Sequence, residues 1–312
     1  MSDGLSVVVA GAGGFIGRRL VPALIDAGHD VTALGRRPHR HDTRARSVRV
    51  DVHEPASLTA ALRGADVAVY LVHELAAGHD DQSLPHRERE SGELFGEAAA
   101  RTGVDQIVYL GGLATPSADL DPRGLSPHLL GRRLTETALG AQGVPVTVVR
   151  AGIVLGPGSI GWEMMRQLAE RVPVLVAPRR SSSRTQPIAA DDLIGYLVDV
   201  TGAAHFHGRT LEVGTDDVVS YRDLMARVAR AHGHRGVVVQ APYLPPVVME
   251  AALAALTDVH RPTAMALLAS MHHDAVVNDD SARRLLPRRP LPVDAAIRRA
   301  VDEESRSSVR AG

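Results

Sequence analysis

One short glycine-rich segment constrains the fold of this chain more than any other part of its sequence. It runs from Gly11 to Gly17, directly after the apolar run Leu5–Ala10 and at the start of Phe15–Ala27, where apolar residues recur at helical spacing. A continuous apolar run is typical of a strand buried on both faces, so the pattern predicts a strand, a glycine turn and a helix. Gly11 would permit the tight turn, Gly14 would let the backbone approach a pyrophosphate, and Gly17 would let the helix pack closely on the strand. The free N–H groups of the first helical turn would face phosphates, which predicts a dinucleotide site; the alternative is a glycine turn that binds nothing.

The second predicted strand ends in basic residues. Val31–Leu34 is followed by Gly35, Arg36 and Arg37, with no carboxylate. An acidic residue at this place would bind the ribose hydroxyls of NAD, whereas guanidinium groups pair with the 2′-phosphate of NADP. We therefore expect NADP(H), with NAD(H) less favoured. The alternative is a solvated basic turn, because arginine is frequent in this part of the chain.

The rest of the chain predicts an α/β fold of the Rossmann type, a doubly wound parallel sheet. Short apolar strands alternate with helical stretches up to residue 155, which we take as the NAD(P)-binding domain. Residues 156–305 predict a smaller, mainly helical C-terminal substrate lobe, with a segment near 185–215 that returns to the first domain. We expect residues 306–312 to form a disordered tail.

Composition excludes several classes of protein. The formal net charge is −1 and aromatic residues make up 3% of the chain, so no nucleic-acid partner is expected. Cysteine and lysine are both absent, which excludes thiolate chemistry, a Schiff base and a lysine general base. Paired histidines lack the carboxylates that would complete a metal site, so none is predicted. With no basic leader and no apolar stretch of about 20 residues, we expect a cytoplasmic protein without membrane contact.

Five segments, each placed after a predicted strand, share a pattern with a known superfamily. They are Gly11–Gly17, Asp51–Val52, Tyr70–His73, Tyr109–Leu113 and Arg150–Gly156. With them, the stretch from Leu5 to Ala231 resembles the short-chain dehydrogenase/reductase superfamily, specifically its atypical, NmrA-like NAD(P)-binding branch. The segment Thr185–Ile188, followed by Asp191 and Asp192, is similar to the one by which this branch returns to its core.

The resemblance implies a role for each segment in cofactor binding. The residue that matches Asp51 contacts adenine, with Val52 beside it, although a strand-end turn former is the alternative for Asp51. Residues 71–73 would line the nicotinamide ribose, and residues 151–153 would face the nicotinamide. The predicted cofactor-binding residues are Gly11, Gly13, Gly14, Phe15, Ile16, Gly17, Arg36, Arg37, Asp51, Val52, Leu71, Val72, His73, Gly111, Gly112, Ala151, Gly152 and Ile153.

The sequence departs from the superfamily at the catalytic positions. Active members place a serine after the fifth strand, and on the next helix a tyrosine four residues before a lysine. This chain has Gly111 and Gly112 in place of the serine, and His128 and Arg132 where the pair would lie. His128 could donate a proton because its pKa lies near neutrality, and Arg132 could bind the ribose or orient substrate. The alternative is that His128 only contacts Ser126 or solvent.

His73 is a third catalytic candidate, because the resemblance puts it near the nicotinamide. A lone histidine at a strand end is more often structural, and that alternative stays open. Two functions follow from these observations. One is an NADPH-dependent oxidoreductase, monomeric or homodimeric, acting on a small carbonyl, imine or activated alkene. The other is a non-catalytic NADP(H)-binding redox sensor of the NmrA type. An apolar pocket beside the nicotinamide would favour the enzyme.

Overall fold

The structure is a computed structural model of the chain and describes residues 4–37, 42–73, 83–114, 125–172, 174–178, 183–241 and 246–311. The strands in these ranges are β1 (Ser6–Ala10), β2 (Asp30–Gly35), β3 (Arg46–Arg49), β4 (Val67–Tyr70), β5 (Gln106–Gly112), β6 (Val146–Ala151), β7 (Val154–Leu155), β8 (Val174–Pro178), β9 (Arg184–Thr185), β10 (Ile188–Ala189), β11 (Thr210–Val213), β12 (Val219–Ser220) and β13 (Val237–Ala241). The helices are α1 (Gly17–Asp26), α2 (Pro55–Leu62), α3 (Leu84–Thr102), α4 (Pro127–Leu139), α5 (Ile160–Arg171), α6 (Ala190–Val200), α7 (Tyr221–Ala231), α8 (Pro246–Leu256), α9 (Arg261–Ser270), α10 (Ser281–Leu285) and α11 (Val293–Ala311).

The centre of the molecule is a seven-stranded parallel sheet with the strand order β11-β6-β5-β4-β1-β2-β3. β1 pairs with β2 on one side and with β4 on the other, so that Val7 lies opposite both Val31 and Val67. Because the strand order reverses beside β1, the connecting helices cover both faces of the sheet. The predicted Rossmann-type, doubly wound fold is therefore confirmed.

Each face of the sheet has its own apolar layer. On one face α1 and α6 bury Leu20, Leu24 and Leu193. On the other face α2 and α3 bury Leu58 and Phe95. Burying one such side chain stabilises the fold by about 1.5–3 kcal/mol, so the two layers hold the carboxyl ends of the strands rigidly along one edge.

A smaller lobe packs beside that edge. α5, α7 and α11 share a core that includes Trp162, Leu224 and Val293. α8 and α9 close on α5 through Leu253 and Ala264. Between α6 and α7 the chain returns to the large sheet, where β11 pairs with the outer edge of β6. The domain boundaries at 155 and 305 stay a prediction. Among the described helices, none has both the length and the hydropathy needed to cross a bilayer.

The C-terminal helix differs from the sequence-based expectation. The pattern predicts a helix over Val293–Val301 and a disordered tail over 306–312, whereas α11 continues through Ala311. Side chains beyond the predicted end explain the difference. The Glu304 carboxylate accepts a hydrogen bond from Trp162 Nε1 at 2.5 Å and lies 3.0 Å from His232 Nε2. These contacts anchor a helical turn that its own polar sequence does not predict.

Candidate active site

The glycine turn between β1 and α1 has the geometry that its sequence predicts at two positions. Gly11 has a φ of +83°, and a Cβ there would lie 2.8 Å from the carbonyl carbon of Leu71. A Cβ on Gly17 would lie 2.6 Å from the Cα of Ala12. Gly11 is therefore required by both the backbone turn and the neighbouring chain, and Gly17 by the close packing of α1 on the turn.

The same turn offers hydrogen-bond donors at the start of α1. The backbone N–H groups of Gly13, Phe15 and Ile16 have no hydrogen-bond partner among the described residues. A Cβ on Gly13 would meet nothing within 4 Å, so this side of the turn is open. Unpaired donors at a helix N-terminus beside open space suit a pyrophosphate, and the residues present therefore fit a dinucleotide.

The two arginines after β2 are available to bind an anion. Arg36 and Arg37 are exposed, and neither pairs with a carboxylate among the described residues. By contrast, Arg44 pairs with Asp42 and with Asp26. The guanidinium groups at the end of β2 thus lack the local partners that engage other arginines of this region.

Asp51 stabilises a turn at the end of β3 with one of its carboxylate oxygens, which is the alternative role that its sequence position left open. Its Oδ1 accepts a hydrogen bond from the N–H of His53 at 3.0 Å, which forms a turn after β3. Val52 packs partly buried against the apolar layer of α2 and α3. The second carboxylate oxygen of Asp51 has no described partner in this turn, so the role toward adenine stays a prediction.

The segment after β4 lies against the glycine turn and ends at a buried carboxylate. The N–H of Leu71 donates to the carbonyl of Ala10 at 3.0 Å, and Val72 follows. His73 Nδ1 forms a hydrogen bond with Oε1 of Glu88, a residue of α3 that is 2% exposed. Glu88 Oε2 also accepts a hydrogen bond from Thr135 at 3.1 Å. The imidazole of His73 is thus held by a carboxylate that is itself fixed in place.

His73 and His128 come together, as their sequence positions predict for a shared site. Their ring centroids are 4.8 Å apart, and the rings are inclined by 33°. His73 Nε2 and His128 Nδ1 are both buried without a hydrogen-bond partner among the described residues. Unpaired buried ring nitrogens are costly, so their presence beside an open cavity marks a site for a ligand.

The assumption that His128 titrates near neutrality is wrong. Burial lowers the pKa of His128 well below its ordinary value, and the nearby His73 and Arg132 lower it further. The ring is therefore neutral at pH 7 and can offer an N–H hydrogen bond, but it cannot supply a proton as an imidazolium.

Arg132 packs against β5. It is only 9% exposed, and its Nη2 donates to the carbonyl of Leu110 in β5. Its guanidinium lies 5.0 Å from the centre of the Tyr109 ring. These contacts tie Arg132 to β5, and its role toward ribose or substrate stays a prediction.

The end of β5 packs closely against side chains of β6 and α4, with glycines at the two last positions of the strand. A Cβ on Gly111 would lie 3.3 Å from side-chain atoms of Val148 and Arg150, and one on Gly112 would lie 3.3 Å from Leu129. Gly112 and residues 151–153 line the same cavity as the two histidines. The segment that the resemblance predicts to face the nicotinamide therefore shares this cavity with Gly112.

This cavity opens between the sheet edge and the smaller lobe and has a volume of about 610 Å³. Its lining is apolar apart from a few side chains, among them Tyr221, Ser270 and His273. Burial raises the pKa of Tyr221 to about 12 and lowers that of His273, so both are neutral at pH 7. Ser270 Oγ lies 3.0 Å from Oγ of Ser126, the residue that caps α4. The cavity has the size and polarity of a small-molecule site.

Comparison with known proteins identifies the family. A model of a protein family described as NAD(P)H-binding matches residues 11–181, more than half of the chain. The chain belongs to this NAD(P)H-binding family. The resemblance to atypical short-chain dehydrogenases/reductases that the sequence predicts is thereby confirmed.

Two curated relatives of the NAD(P)H-binding chain are named as reductases. Ceramide reductase of Caulobacter vibrioides is 29% identical over 198 residues, which cover 62% of this chain and 59% of that protein. The isoflavone reductase homolog IRL of Zea mays is 27% identical over 169 residues, which cover 50% of this chain and 51% of that protein. The matched region thus spans less than two thirds of the length of either relative.

Solved structures share the fold at low sequence identity. A new type of NADPH-dependent quinone oxidoreductase from Escherichia coli has a TM-score of 0.70 at 18% identity, covering 93% of this chain and 98% of that one. MoeE5 in complex with UDP-glucose and NAD has a TM-score of 0.72 at 18% identity, covering 97% and 99%. The chain therefore has an NAD(P)H-binding, oxidoreductase-type fold.

Sequence reasoning missed two features of the site. Glu88 lies in α3, fifteen positions after His73, and nothing in its helical pattern indicates a buried carboxylate. The second feature is the methionine-rich wall of the cavity. Met164 and Met165 on α5, Met225 on α7, Met249 on α8 and Met271 after α9 converge there. Their clustering in the sequence after residue 160 is a signal that could have been read.

Proposed function

We propose that this protein is an NADPH-dependent reductase that transfers a hydride to a small carbonyl, imine or activated alkene. One observation carries the proposal: residues 151–153, expected to face the nicotinamide, line an apolar cavity together with two histidines, each of which has a buried ring nitrogen without a partner among the described residues. The reductases among the relatives support the same class of reaction.

The residues of the chain would hold the cofactor along the sheet edge. The N–H groups of Phe15 and Ile16 bind the pyrophosphate, and Arg36 and Arg37 bind the 2′-phosphate. Residues 151–153 flank the nicotinamide, which supplies the hydride when NADPH is bound. Apolar walls exclude water from the reacting atoms, which strengthens every polar contact made inside.

The histidines would act on the oxygen or nitrogen of the substrate. His73 delivers the proton from Nε2 while the Glu88 carboxylate fixes its Nδ1, as a carboxylate orients the histidine in other proton-transfer sites. His128, being neutral, donates a hydrogen bond that polarises the substrate. This assignment reverses the order of importance that the sequence suggested for the two histidines.

The alternative of a redox sensor is less well supported. A sensor needs the cofactor groove but no enclosed apolar site beside the nicotinamide. The cavity of about 610 Å³ next to His73 therefore favours catalysis.

Cofactor choice is tested by titrating the purified protein with NADPH and with NADH, followed by nicotinamide fluorescence. We expect the unmodified protein to bind NADPH more tightly than NADH. The double variant Arg36→Ala/Arg37→Ala should bind NADPH roughly 10- to 100-fold more weakly and NADH with unchanged affinity, because only NADPH carries the 2′-phosphate.

The matched control is Arg46→Ala, an exposed arginine at the other end of the neighbouring strand. This variant should bind both cofactors as the unmodified protein does. Equal affinity of the unmodified protein for the two cofactors would contradict the NADPH assignment.

A further inference from the structure

The walls of the cavity are unusual for a site that takes a small polar metabolite. We propose that the substrate is an amphiphile with a long aliphatic chain, and that this chain lies in the methionine-rich part of the cavity. The inference rests on the proposed function for the reaction at the head group, but the chain site itself can be tested separately.

The lining favours a flexible apolar occupant. Five of the seven methionines of the chain line the cavity. Among the described lining residues there is no aspartate, glutamate or arginine. Methionine is unbranched and adapts its shape, so a wall of methionines fits a chain with many conformers better than a rigid planar ring system.

The polar side chains of the lining come from segments other than α5 and α8. His73 and His128 line the cavity together with Gly112 and residues 151–153. α5 and α8 contribute only apolar lining residues, such as Leu168 and Leu253. This arrangement matches a molecule with a polar, reducible head and an apolar tail.

The volume is sufficient for such a tail. A water molecule takes about 30 Å³ of the liquid and a methylene group is of similar size, so 610 Å³ holds roughly 20 non-hydrogen atoms. The nicotinamide ring occupies part of that space, which leaves room for a chain of roughly ten carbons or more.

The mouth of the cavity is apolar as well. Val174 on β8 and Val248 on α8 both line the cavity and are 43% and 51% exposed. Val237 and Val239 of the paired strand β13 add exposed apolar surface beside them, at 42% and 50%. Apolar residues that remain in water around an opening suit an entering aliphatic chain.

The test uses ligands whose head group cannot be reduced. N-butylacetamide and N-octylacetamide share an amide head and differ only in chain length, and their binding to the protein with NADP⁺ is measured by calorimetry. We expect a gain of about fourfold per added methylene, and thus roughly 100-fold or more from butyl to octyl. N-(2-naphthyl)acetamide, which is apolar but planar, should bind more weakly than the octyl compound.

A pair of variants on α8 locates the chain. Met249→Asp introduces a charge into the wall and should weaken N-octylacetamide binding at least roughly tenfold, because a carboxylate is costly to bury. Ala254→Asp places the same charge on the exposed side of the helix and should change binding by no more than about twofold. NADPH binding by both variants confirms that they are folded.

The outcomes separate this inference from the proposed function. One outcome is that the butyl and octyl compounds bind equally, or that the naphthyl compound binds more tightly, in a protein that oxidises NADPH. This result contradicts the proposal of an aliphatic-chain site but not the proposed reductase activity. The other outcome is chain-length-dependent binding that Met249→Asp abolishes, in a protein that oxidises NADPH with no carbonyl, imine or activated alkene. This result supports the chain site and contradicts the proposed reductase activity.

Discussion

The hydrogen bond between His73 and Glu88 joins a histidine that lines the cavity to a buried carboxylate. The side chain of His73 is 27% exposed, and that of Glu88 is 2% exposed. Replacing His73 by Ala should lower kcat roughly 100-fold, the usual size of a general acid's contribution, while NADPH affinity changes little. Steady-state rates and nicotinamide fluorescence give the two quantities. Added imidazole should restore part of the rate, and a variant with unchanged kcat would remove His73 from the reaction.

Glu88 provides a sharper test of how the ring is held. Glu88→Gln keeps the size of the side chain but removes the charge, so we expect a smaller loss of kcat, roughly tenfold, with a folded protein. Glu90 lies two positions further on the same helix and is exposed. Glu90→Gln should leave kcat unchanged, and equal losses in the two variants would show that the effect is not specific to His73.

His128 predicts a dependence of stability on pH. Its pKa in the folded protein is lowered well below 6.5, so the unfolded chain takes up a proton at a higher pH than the folded one. The contribution of the neutral His128 ring to the free energy of unfolding is complete above about pH 6.5. It decreases as the pH falls below this value, by up to about 1.4 kcal/mol per pH unit. Urea unfolding at pH 7 and pH 5.5 should show a smaller loss for His128→Gln than for the unmodified protein. Identical losses would contradict a buried neutral ring.

At the scale of single residues, the sequence predicts backbone requirements better than side-chain partners. Gly11 and Gly17 could be assigned because their roles depend on neighbours a few positions away. Local spacing contains no information on burial, so it predicts neither the lowered pKa of His128 nor the contact of Arg132 with Leu110. The partner of His73 was missed because Glu88 reaches it only through tertiary packing.

Among the elements, α3 and α4 pack unusually closely through glycine. A Cβ on Gly96 would lie 2.7 Å from the carbonyl oxygen of Leu139, at the end of α4. Gly96→Ala should therefore lower the free energy of unfolding by roughly 1–3 kcal/mol, although alanine is the better helix former. Urea denaturation measures the change.

The matched control for this prediction is Glu90→Ala, on the exposed side of the same helix, which should change the free energy of unfolding by less than about 0.5 kcal/mol. A Gly96→Ala protein as stable as this control would mean that α3 and α4 do not pack as closely as described.

Periodicity predicts several helices and strands correctly. The apolar patterns predict a helix over Tyr221–Ala231 and a strand over Thr210–Val213, and α7 and β11 have these bounds. The exceptions depend on distant contacts. α6 follows β10 where the sequence predicts only a returning segment, and it forms because Leu193 and Leu197 pack against the sheet. The extension of α11 likewise depends on Trp162 and His232.

For the whole molecule, the candidate site lies between the two parts of the chain. The sheet edge contributes Phe15, Ile16 and Gly112 to the lining of the cavity, and the smaller lobe contributes the apolar wall. The sequence predicts the first part through its glycine motif. The second is a surface assembled from α5, α7, α8 and α9, so neither its volume nor its polarity could be predicted from local patterns.

Isotope transfer shows whether the protein moves a hydride from NADPH to a substrate. The protein is incubated with NADPH that carries deuterium at both C4 positions of the nicotinamide, together with carbonyl, imine and activated-alkene compounds of increasing chain length, and the products are analysed by mass spectrometry. We expect a product with one deuterium at the reduced carbon, and no label at that carbon when only the solvent is deuterated. A protein that binds NADPH tightly yet transfers deuterium to none of the compounds would contradict this expectation and favour the redox sensor.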